Sequence, residues 1–145
     1  MIPVFGQALP GIQYVERPGA YGLLPNAAGE LAIVQTPNGL FLPGGGLEPE
    51  ETPESALRRE VREETGFEIT ALRFLGQAIQ FHWSEFYQKH FKKVGSFYQI
   101  EAHPDGGLAA DADHVLWWMT REQAAQRLSQ EFQRWVVSSA GSRSL

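Results

Sequence analysis

Two glutamates four residues apart, Glu60 and Glu64, have the type and spacing of metal ligands on a helix. They lie in the segment 45–67, where glutamates crowd one side of a predicted helix whose apolar stripe is Leu57 and Val61. Carboxylates beside a core repel one another or take up protons unless a cation lies among them. An all-oxygen cluster suits Mg²⁺ or Mn²⁺ rather than Zn²⁺. Helix geometry alone leaves two interpretations open, a divalent-metal site and a solvated acidic face.

Sequence signals mark both ends of this helix. Thr52 is a good N-cap, Pro53 fits the first helical position, and Glu54 favours the positive end of the helix dipole. Gly66 is a natural C-terminal stop. The sequence therefore predicts a helix that begins after Thr52 and ends before Gly66.

The arginines of the helix divide between its two sides. Arg59 precedes Glu63 by four residues, so it can pair with Glu63 or orient a neighbouring carboxylate. Helical spacing places Arg58 and Arg62 towards solvent.

Three glycines, residues 44–46, precede the acidic helix. Glycine lets a backbone turn tightly and approach a ligand closely. A free carbonyl there would complete a metal shell, and exposed amides would contact phosphate oxygens. A glycine run alone is more often only a turn, but its position before the acidic helix favours the metal interpretation.

The spacing of these residues resembles the Nudix box. The chain agrees with that motif at every defined position: Gly45, five residues, Glu51, seven residues, and then the run from Arg59 to Phe67. The lead-in Leu42 to Gly45 is also typical of the motif. The chain therefore resembles a small, single-domain MutT-like Nudix hydrolase. Outside the box the resemblance is general, although the length and strand order suit that fold.

The resemblance implies an α/β/α sandwich, an α/β (α+β) fold with a central mixed β-sheet and a loop-helix-loop catalytic motif. It also implies a Mg²⁺- or Mn²⁺-dependent pyrophosphohydrolase that cleaves a nucleoside diphosphate linked to another moiety by attack of water on phosphorus. Hydrolysis of oxidised deoxynucleoside triphosphates is one subclass. Nucleotide sugars, dinucleoside polyphosphates and capped RNA ends are others, and the box does not discriminate among them.

The resemblance also assigns roles by position. Glu60 and Glu64 resemble the principal metal ligands, and Glu63 resembles a further ligand or the residue that deprotonates water. The carbonyl of Gly44 resembles a backbone metal ligand. Glu51 and Arg59 resemble supporting residues, with Arg59 orienting a carboxylate.

Two other functions share this fold. A nucleotide-binding or regulatory module without turnover usually lacks box carboxylates, whereas this chain has Glu51, Glu60, Glu63 and Glu64. A prenyl-diphosphate isomerase would need a catalytic cysteine, and this chain has none. Hydrolysis is the favoured function and the silent binding module its alternative.

Substrate choice is expected to depend on residues outside the helix. The segment 81–93 is unusually aromatic and ends in cationic residues, so it could stack a base and steer phosphates. The same segment could form a hairpin that packs on the core or on a second subunit of a homodimer. The candidate substrate residues here are Phe81, Trp83, Tyr87 and Lys92.

A general base can also lie outside the box, on a loop before the last strand. In this sequence the candidates are Asp111, Asp113 and His114. An ordinary polar loop is an equally good interpretation of this stretch.

Composition bounds the remaining possibilities. The 145 residues predict one domain, 1–145, with residues 1–11 as a loose arm. A net charge of −5 argues against stable nucleic-acid binding, and the absence of cysteine excludes thiolate chemistry. No leader or membrane-spanning run is recognisable, so a cytoplasmic location is the default expectation.

The remaining patterns predict strands around the box helix and a helical C-terminus. Short strands are expected over 12–16 and 21–24, separated by the breaker Pro18–Gly19, and over 31–34 and 40–42. Further extended stretches are expected over 68–81, 95–102 and 115–119, followed by a helix over 121–137 that is interrupted near Ser129. Trp117 and Trp118 alternate faces on a strand, so one could face the pocket while the other packs on the terminal helix.

Overall fold

The computed structural model describes residues 2–104 and 113–142. Within these ranges no helix combines the length and the apolarity that a membrane crossing requires. The elements in chain order are β1 (Val4–Phe5), β2 (Val15–Leu23), β3 (Leu31–Thr36), β4 (Gly39–Phe41), β5 (Gly44–Gly46), α1 (Pro53–Thr65), β6 (Phe67–Ser84), β7 (Lys89–Pro104), β8 (Val115–Met119), α2 (Arg121–Arg127) and α3 (Glu131–Ser142).

The strands form a mixed sheet and a smaller antiparallel one. The larger sheet has the order β1-β6-β7-β2-β5, in which β2 pairs parallel with β7, and β6 pairs antiparallel with β7. The smaller sheet has the order β4-β3-β8. Helix α1 packs against one side of the strands, and α2 and α3 pack against the other. The predicted α/β/α arrangement with a central mixed sheet is confirmed.

Side chains alternate between the two faces of the strands, so a hydrophobic core forms on each side of the sheets. Tyr21, Phe97 and Phe132 belong to the cluster under α2 and α3, and all of them are at least nine-tenths buried. Leu57 and Val61 of α1 are fully buried in the other cluster. Burial of each of these two side chains stabilises the fold by roughly 1.5–3 kcal/mol, which fixes the face that α1 turns to the sheet.

Helix α1 has the predicted ends. The Thr52 hydroxyl accepts from the Ser55 amide, the Ser55 hydroxyl accepts from the Thr52 amide, and together they form a capping box. Gly66 has φ 75° and its N–H donates to the Arg62 carbonyl. The helix prediction from Pro53 onward is therefore confirmed at both termini.

Two predicted turns lie inside the larger sheet. Pro18 and Gly19 do not break the chain, because β2 continues through them in parallel register with Val94 and Gly95 of β7. The Pro18 carbonyl is used as well, since it accepts from the Leu47 N–H. The glycine run is not a turn either: as β5 it pairs antiparallel with residues 19–21 of β2.

The N-terminal arm and the two tryptophans also differ from expectation. Val4 and Phe5 form a short strand parallel to β6, and the Phe5 ring contacts Trp135. Trp117 is exposed and donates to Gln35, whereas Trp118 packs on the α1 side of the sheet. Neither tryptophan lines the cleft that opens next to Glu64. The predicted interruption of the C-terminal helix is confirmed by the separation of α2 from α3 at residues 128–130.

Candidate active site

Helix α1 brings two glutamates against the backbone of β5. The Glu64 carboxylate is 7% exposed, and its Oε1 accepts a 2.9 Å hydrogen bond from the Gly44 amide. A Cβ atom on Gly45 would lie 2.9 Å from the carboxyl carbon of Glu60. Both carboxylates therefore meet the glycine strand, and the second contact is possible because Gly45 has no side chain.

Gly44 fills a position that no other residue type fits. Its φ of 139° is a conformation that L side chains rarely adopt. A Cβ atom there would lie 2.1 Å from the carbonyl oxygen of Ala20. The close approach of β5 to β2 thus fixes the amide that holds Glu64.

Arg59 supplies a cation among the acidic side chains. Its guanidinium donates to both carboxylate oxygens of Glu51, at 2.8 and 3.0 Å. The same group donates to Glu60 Oε1 at 2.9 Å and to Glu63 Oε2 at 3.3 Å. The hydrogen bonds from Arg59 lower the pKa of Glu51 to about 2, and the Glu48 amide, which also donates to this carboxylate, adds to the shift. They also raise the pKa of Arg59 above its ordinary value, so it stays charged.

The donor set suits a hard divalent cation without forming a complete cage. Glu60 and Glu64 present carboxylate oxygens next to the backbone of β5, which is the ligand chemistry of Mg²⁺ and Mn²⁺. Over residues 2–104 and 113–142, however, no group of three or more acidic, histidine or cysteine side chains is close enough to hold a metal ion. Arg59 draws Glu60 and Glu63 together instead. The residues fit a metal whose arrival exchanges some of these contacts.

Of the candidate general bases outside the box the structure describes two, and these lie in different surroundings. Asp111 lies outside the described residues. Asp113 is exposed and does not line the cleft. His114 Nδ1 lies 4.0 Å from Glu64 Oε2, so of the two described candidates it is His114 that the fold brings to the box carboxylates.

A cleft of about 730 Å³ opens next to Glu64. It runs from β5 to the tip of the β6–β7 hairpin and to the beginning of α3. This size is ordinary for a small-molecule site. Its lining includes Arg17, Tyr21, Gly44–Gly46, Glu64, Gln80, His82, Trp83, Tyr87, Phe91, Lys93, Gln130 and Gln133.

Aromatic rings and cations share the hairpin side of this cleft. Trp83 and Tyr87 line it and are 40% and 51% exposed, so a ligand can reach their rings. The Arg17 guanidinium lies 5.3 Å from the centre of the Tyr87 ring and 5.2 Å from that of Phe91. Such cation–π contacts hold Arg17 between the hairpin and the glycine strand.

Strand alternation reassigns the other two hairpin candidates. Gln80 pairs with Lys93 and Phe81 pairs with Lys92, so these two pairs occupy opposite faces of the hairpin. Lys93 lines the cleft, whereas Phe81 packs against Tyr14 away from it. Lys92 lies 3.9 Å from Glu16 and does not line the cleft. The hairpin lysine that faces the cleft is therefore Lys93, one residue beyond the one predicted.

Burial perturbs three titratable groups of the cleft. It lowers the pKa of Lys93 to about 8, with Arg17 adding to the effect. It also lowers the pKa of His82, with a smaller contribution from Lys93. The pKa of Tyr21 is raised to about 12, chiefly by burial; Arg17 opposes this shift, and Glu60 and Glu64 add to it. Tyr21 consequently remains a neutral phenol at physiological pH.

The beginning of α3 forms a wall that sequence reasoning missed. Gln80 Oε1 accepts from the Phe132 amide at 3.1 Å, which satisfies a backbone donor in the first turn of α3. Gln133 Oε1 accepts from the Leu42 amide at 2.8 Å. These contacts span 52 and 91 residues of sequence, so no local pattern could have indicated them. For Lys93, the sequence signal that could have indicated its position is the alternation of faces along β7, which places Lys92 and Lys93 on opposite sides of the hairpin.

Comparison with known proteins agrees with this geometry. The family model described as NUDIX domain matches residues 15–138. The nucleoside triphosphatase NudI of Enterobacter sp. (strain 638) is 48% identical over 61 residues, which are 41% of this chain and 41% of that protein. A MutT-like protein of Streptomyces ambofaciens is 29% identical over 105 residues, which are 70% of this chain and 62% of that protein. The chain thus spans less than two thirds of the length of each of these curated relatives.

A solved structure extends the fold comparison to nearly the whole chain. The MutT protein of Methanosarcina mazei Go1 superimposes with a TM-score of 0.69 at 19% identity, covering 92% of this chain and 100% of that one. At this identity the likeness establishes the fold. Together with the match of the family model over residues 15–138, it shows that the chain belongs to the NUDIX domain family and has a MutT-like fold.

Proposed function

We propose that the chain is a Mg²⁺- or Mn²⁺-dependent pyrophosphohydrolase that cleaves a nucleoside diphosphate linked to another moiety. One observation carries the proposal: a single cleft joins Glu64 and the glycine strand to the exposed rings of Trp83 and Tyr87. A nucleotide requires both parts of this cleft, because its base stacks on aromatic rings and its phosphates bind cations and backbone N–H donors. The name of the NudI relative, a nucleoside triphosphatase, supports a nucleotide as the substrate.

The cations of the cleft suggest how the substrate is oriented. Arg17 and Lys93 lie between the aromatic tip and β5, so the base would rest on the hairpin with the phosphates directed towards Glu64. Because burial and Arg17 lower the pKa of Lys93 to about 8, an incoming phosphate would stabilise its charged form. Phosphate binding would thus offset the free-energy cost of keeping Lys93 charged while it is buried next to Arg17.

The reaction adds water across a phosphoric anhydride. The water oxygen bonds to phosphorus, the bridging P–O bond breaks, the leaving phosphate takes the electron pair, and a proton is released. The Gly44 carbonyl, Glu60, Glu63 and Glu64 would hold the metal, which supplies charge neutralisation of the diphosphate and acidification of water. Arg59 orients Glu60 and Glu63, and Glu51 anchors Arg59.

Substitution of single carboxylates tests this function. Glu60→Gln and Glu64→Gln are expected to abolish Mg²⁺- or Mn²⁺-dependent release of product from a panel of nucleoside triphosphates, nucleotide sugars and dinucleoside polyphosphates. Glu122→Gln is the matched control, because Glu122 lies in the exposed first turn of α2. Near-wild-type turnover by both box variants would refute the metal assignment.

The panel also separates hydrolysis from its alternative. Binding of nucleotides without product from any member would favour a silent binding module. The oxidised deoxynucleoside triphosphate subclass, the cytoplasmic location, the homodimer and the single domain over 1–145 remain predictions.

A further inference from the structure

The Tyr21 hydroxyl is a polar group of the cleft that takes no part in the steps assigned to the box residues. Tyr21 lines the cleft and is 9% exposed. Its ring stacks on Phe97 and meets Phe132 edge-on, with ring centres 5.6 and 5.8 Å apart. Both phenylalanines are fully buried, so they fix the ring in the core while the accessible part of Tyr21 lies at the cleft.

A glycine makes room for this hydroxyl beside the glycine strand. Arg17, Gly19 and Tyr21 are alternate residues of β2 and therefore share one face of the strand. A Cβ atom on Gly19 would lie 2.8 Å from Tyr21 Oη and 3.0 Å from the Gly45 carbonyl oxygen. The hydroxyl thus lies over the backbone of Gly19 and next to β5, in a place that a side chain at position 19 would take away.

The hydroxyl is a donor that the fold itself does not use. The charges of Glu60, Glu64 and Arg17 all act on it, and its pKa of about 12 means that it keeps its proton at physiological pH. Among the described residues it has no hydrogen-bond partner. It does not belong to the polar atoms that are both unpaired and sealed from solvent, so it is open to the cleft.

We propose that Tyr21 donates a hydrogen bond to a non-bridging oxygen of the diphosphate that is cleaved. This inference rests on the proposed function, in which the phosphates extend from Arg17 towards Glu64. The hydroxyl lies on that path next to β5, and ionised phosphate oxygens are acceptors. Tyr21 is then a catalytic residue, because a fixed donor on the reacting phosphate stabilises its negative charge during the reaction.

The variant Tyr21→Phe removes the hydroxyl and keeps the ring against Phe97 and Phe132. We expect kcat/KM to fall about 10- to 100-fold, as for the loss of one hydrogen bond to a charged group. The loss should be similar for nucleoside triphosphates, nucleotide sugars and dinucleoside polyphosphates, because all of them contain the diphosphate. The Tm should stay within about 2 °C of wild type, since the hydroxyl has no partner in the fold.

Tyr98→Phe is the matched control. Tyr98 is 3% exposed, and its hydroxyl donates to Glu54 Oε1 at 3.0 Å on the α1 side of the sheet. Loss of this bond should lower Tm by about 2–6 °C and leave kcat/KM within about twofold of wild type. One tyrosine variant is therefore expected to lose activity without stability, and the other stability without activity.

Calorimetric binding of Mn²⁺ to the nucleotide-free protein separates a contact with the substrate from a contact with the metal ligands. Tyr21→Phe and wild type should bind Mn²⁺ alike, because the proposed bond is to phosphate. A loss of Mn²⁺ affinity as large as the loss of kcat/KM would show that Tyr21 acts through Glu60 or Glu64, and would overturn the inference.

The remaining outcomes decide between a catalytic and a structural role. Wild-type kcat/KM in Tyr21→Phe overturns the inference. So does a variant that is unfolded, or whose Tm falls as far as that of Tyr98→Phe, because the hydroxyl then serves the fold. If wild-type protein hydrolyses no nucleotide, the proposed function fails, and calorimetry with methylenediphosphonate and Mg²⁺ tests the contact by itself. Tyr21→Phe should bind this probe about 10-fold more weakly, whereas equal binding, or no binding by wild type, overturns the inference.

Discussion

The replacement Gly44→Ala tests the contact on which the candidate site is built. Gly44 has φ 139°, and a Cβ atom there would lie 2.1 Å from the Ala20 carbonyl oxygen. That atom belongs to the backbone of β2, so it cannot rotate away as a flexible side chain would. Either β5 separates from β2 or residue 44 changes conformation, and both movements displace the amide that holds Glu64.

The magnitude follows from two effects. Backbone strain at such a φ costs about 1–3 kcal/mol. Insertion of a methyl group against a fixed wall costs another 1–3 kcal/mol or so. We expect a loss of about 2–6 kcal/mol of unfolding free energy for Gly44→Ala, which corresponds to roughly 4–24 °C in Tm for a domain of this size.

The matched control is Gly29→Ala. Gly29 has φ 82°, but nothing lies within 4 Å of the added Cβ atom. It should therefore lose only about 1–2 kcal/mol, the cost of a left-handed conformation. Thermal and urea unfolding, followed by circular dichroism, measure both variants. Equal losses in the two variants would refute the steric argument, and full metal-dependent hydrolysis by Gly44→Ala would refute its link to the site.

Four further outcomes are expected. Lys93→Arg should shift the alkaline limb of the kcat/KM profile upward from about pH 8, because wild-type Lys93 loses its proton near that pH and arginine does not; a coincident limb in both proteins would contradict this. Phe132→Ala should lower the unfolding free energy in urea by about 3–5 kcal/mol, because its ring is fully buried, and a loss below 1 kcal/mol would contradict the packing. Arg59→Met should lower Tm more than Arg62→Met, whose side chain is 56% exposed in its pair with Glu68; equal Tm values would contradict a central role of Arg59. The Glu51 carboxyl, with its pKa lowered to about 2, contributes stability above pH 4.5 that is lost as the pH falls through 2, so the Tm difference between wild type and Arg59→Met should shrink over that window.

The acidic helix shows how far local sequence signals reach. Its N-cap, its left-handed stop and its buried stripe depend on neighbours within one or two turns, so Thr52, Gly66, Leu57 and Val61 were predictable. The pairing of Arg59 with Glu63 is also local. The contact of Arg59 with Glu51 does not follow from helical spacing, because Glu51 precedes α1. Through this contact, Arg59 supplies part of the acidic cluster with a cation from the protein itself.

The β6–β7 hairpin and the strands beside it show where local sequence signals fail to predict the structure. The sequence located an aromatic, cationic hairpin, but the choice between Lys92 and Lys93 depends on the register of β6 with β7, and a shift of one residue reverses the face. The sequence also suggested turns at residues 18–19 and 44–46, because glycine and proline favour turns in isolation. Pairing with β7 and β2 outweighs that local preference.

The sequence by itself determined the chemistry that this protein can offer. Glu51, Arg59, Glu60, Glu63 and Glu64 belong to one short segment, and helix geometry places Glu60, Glu63 and Glu64 on one acidic face. Only the tertiary structure decided what the face can meet. The glutamines of α3 and the cations of β2 and β7 are distant in sequence, and they reach the cleft only because long-range strand pairing and capping contacts carry them there.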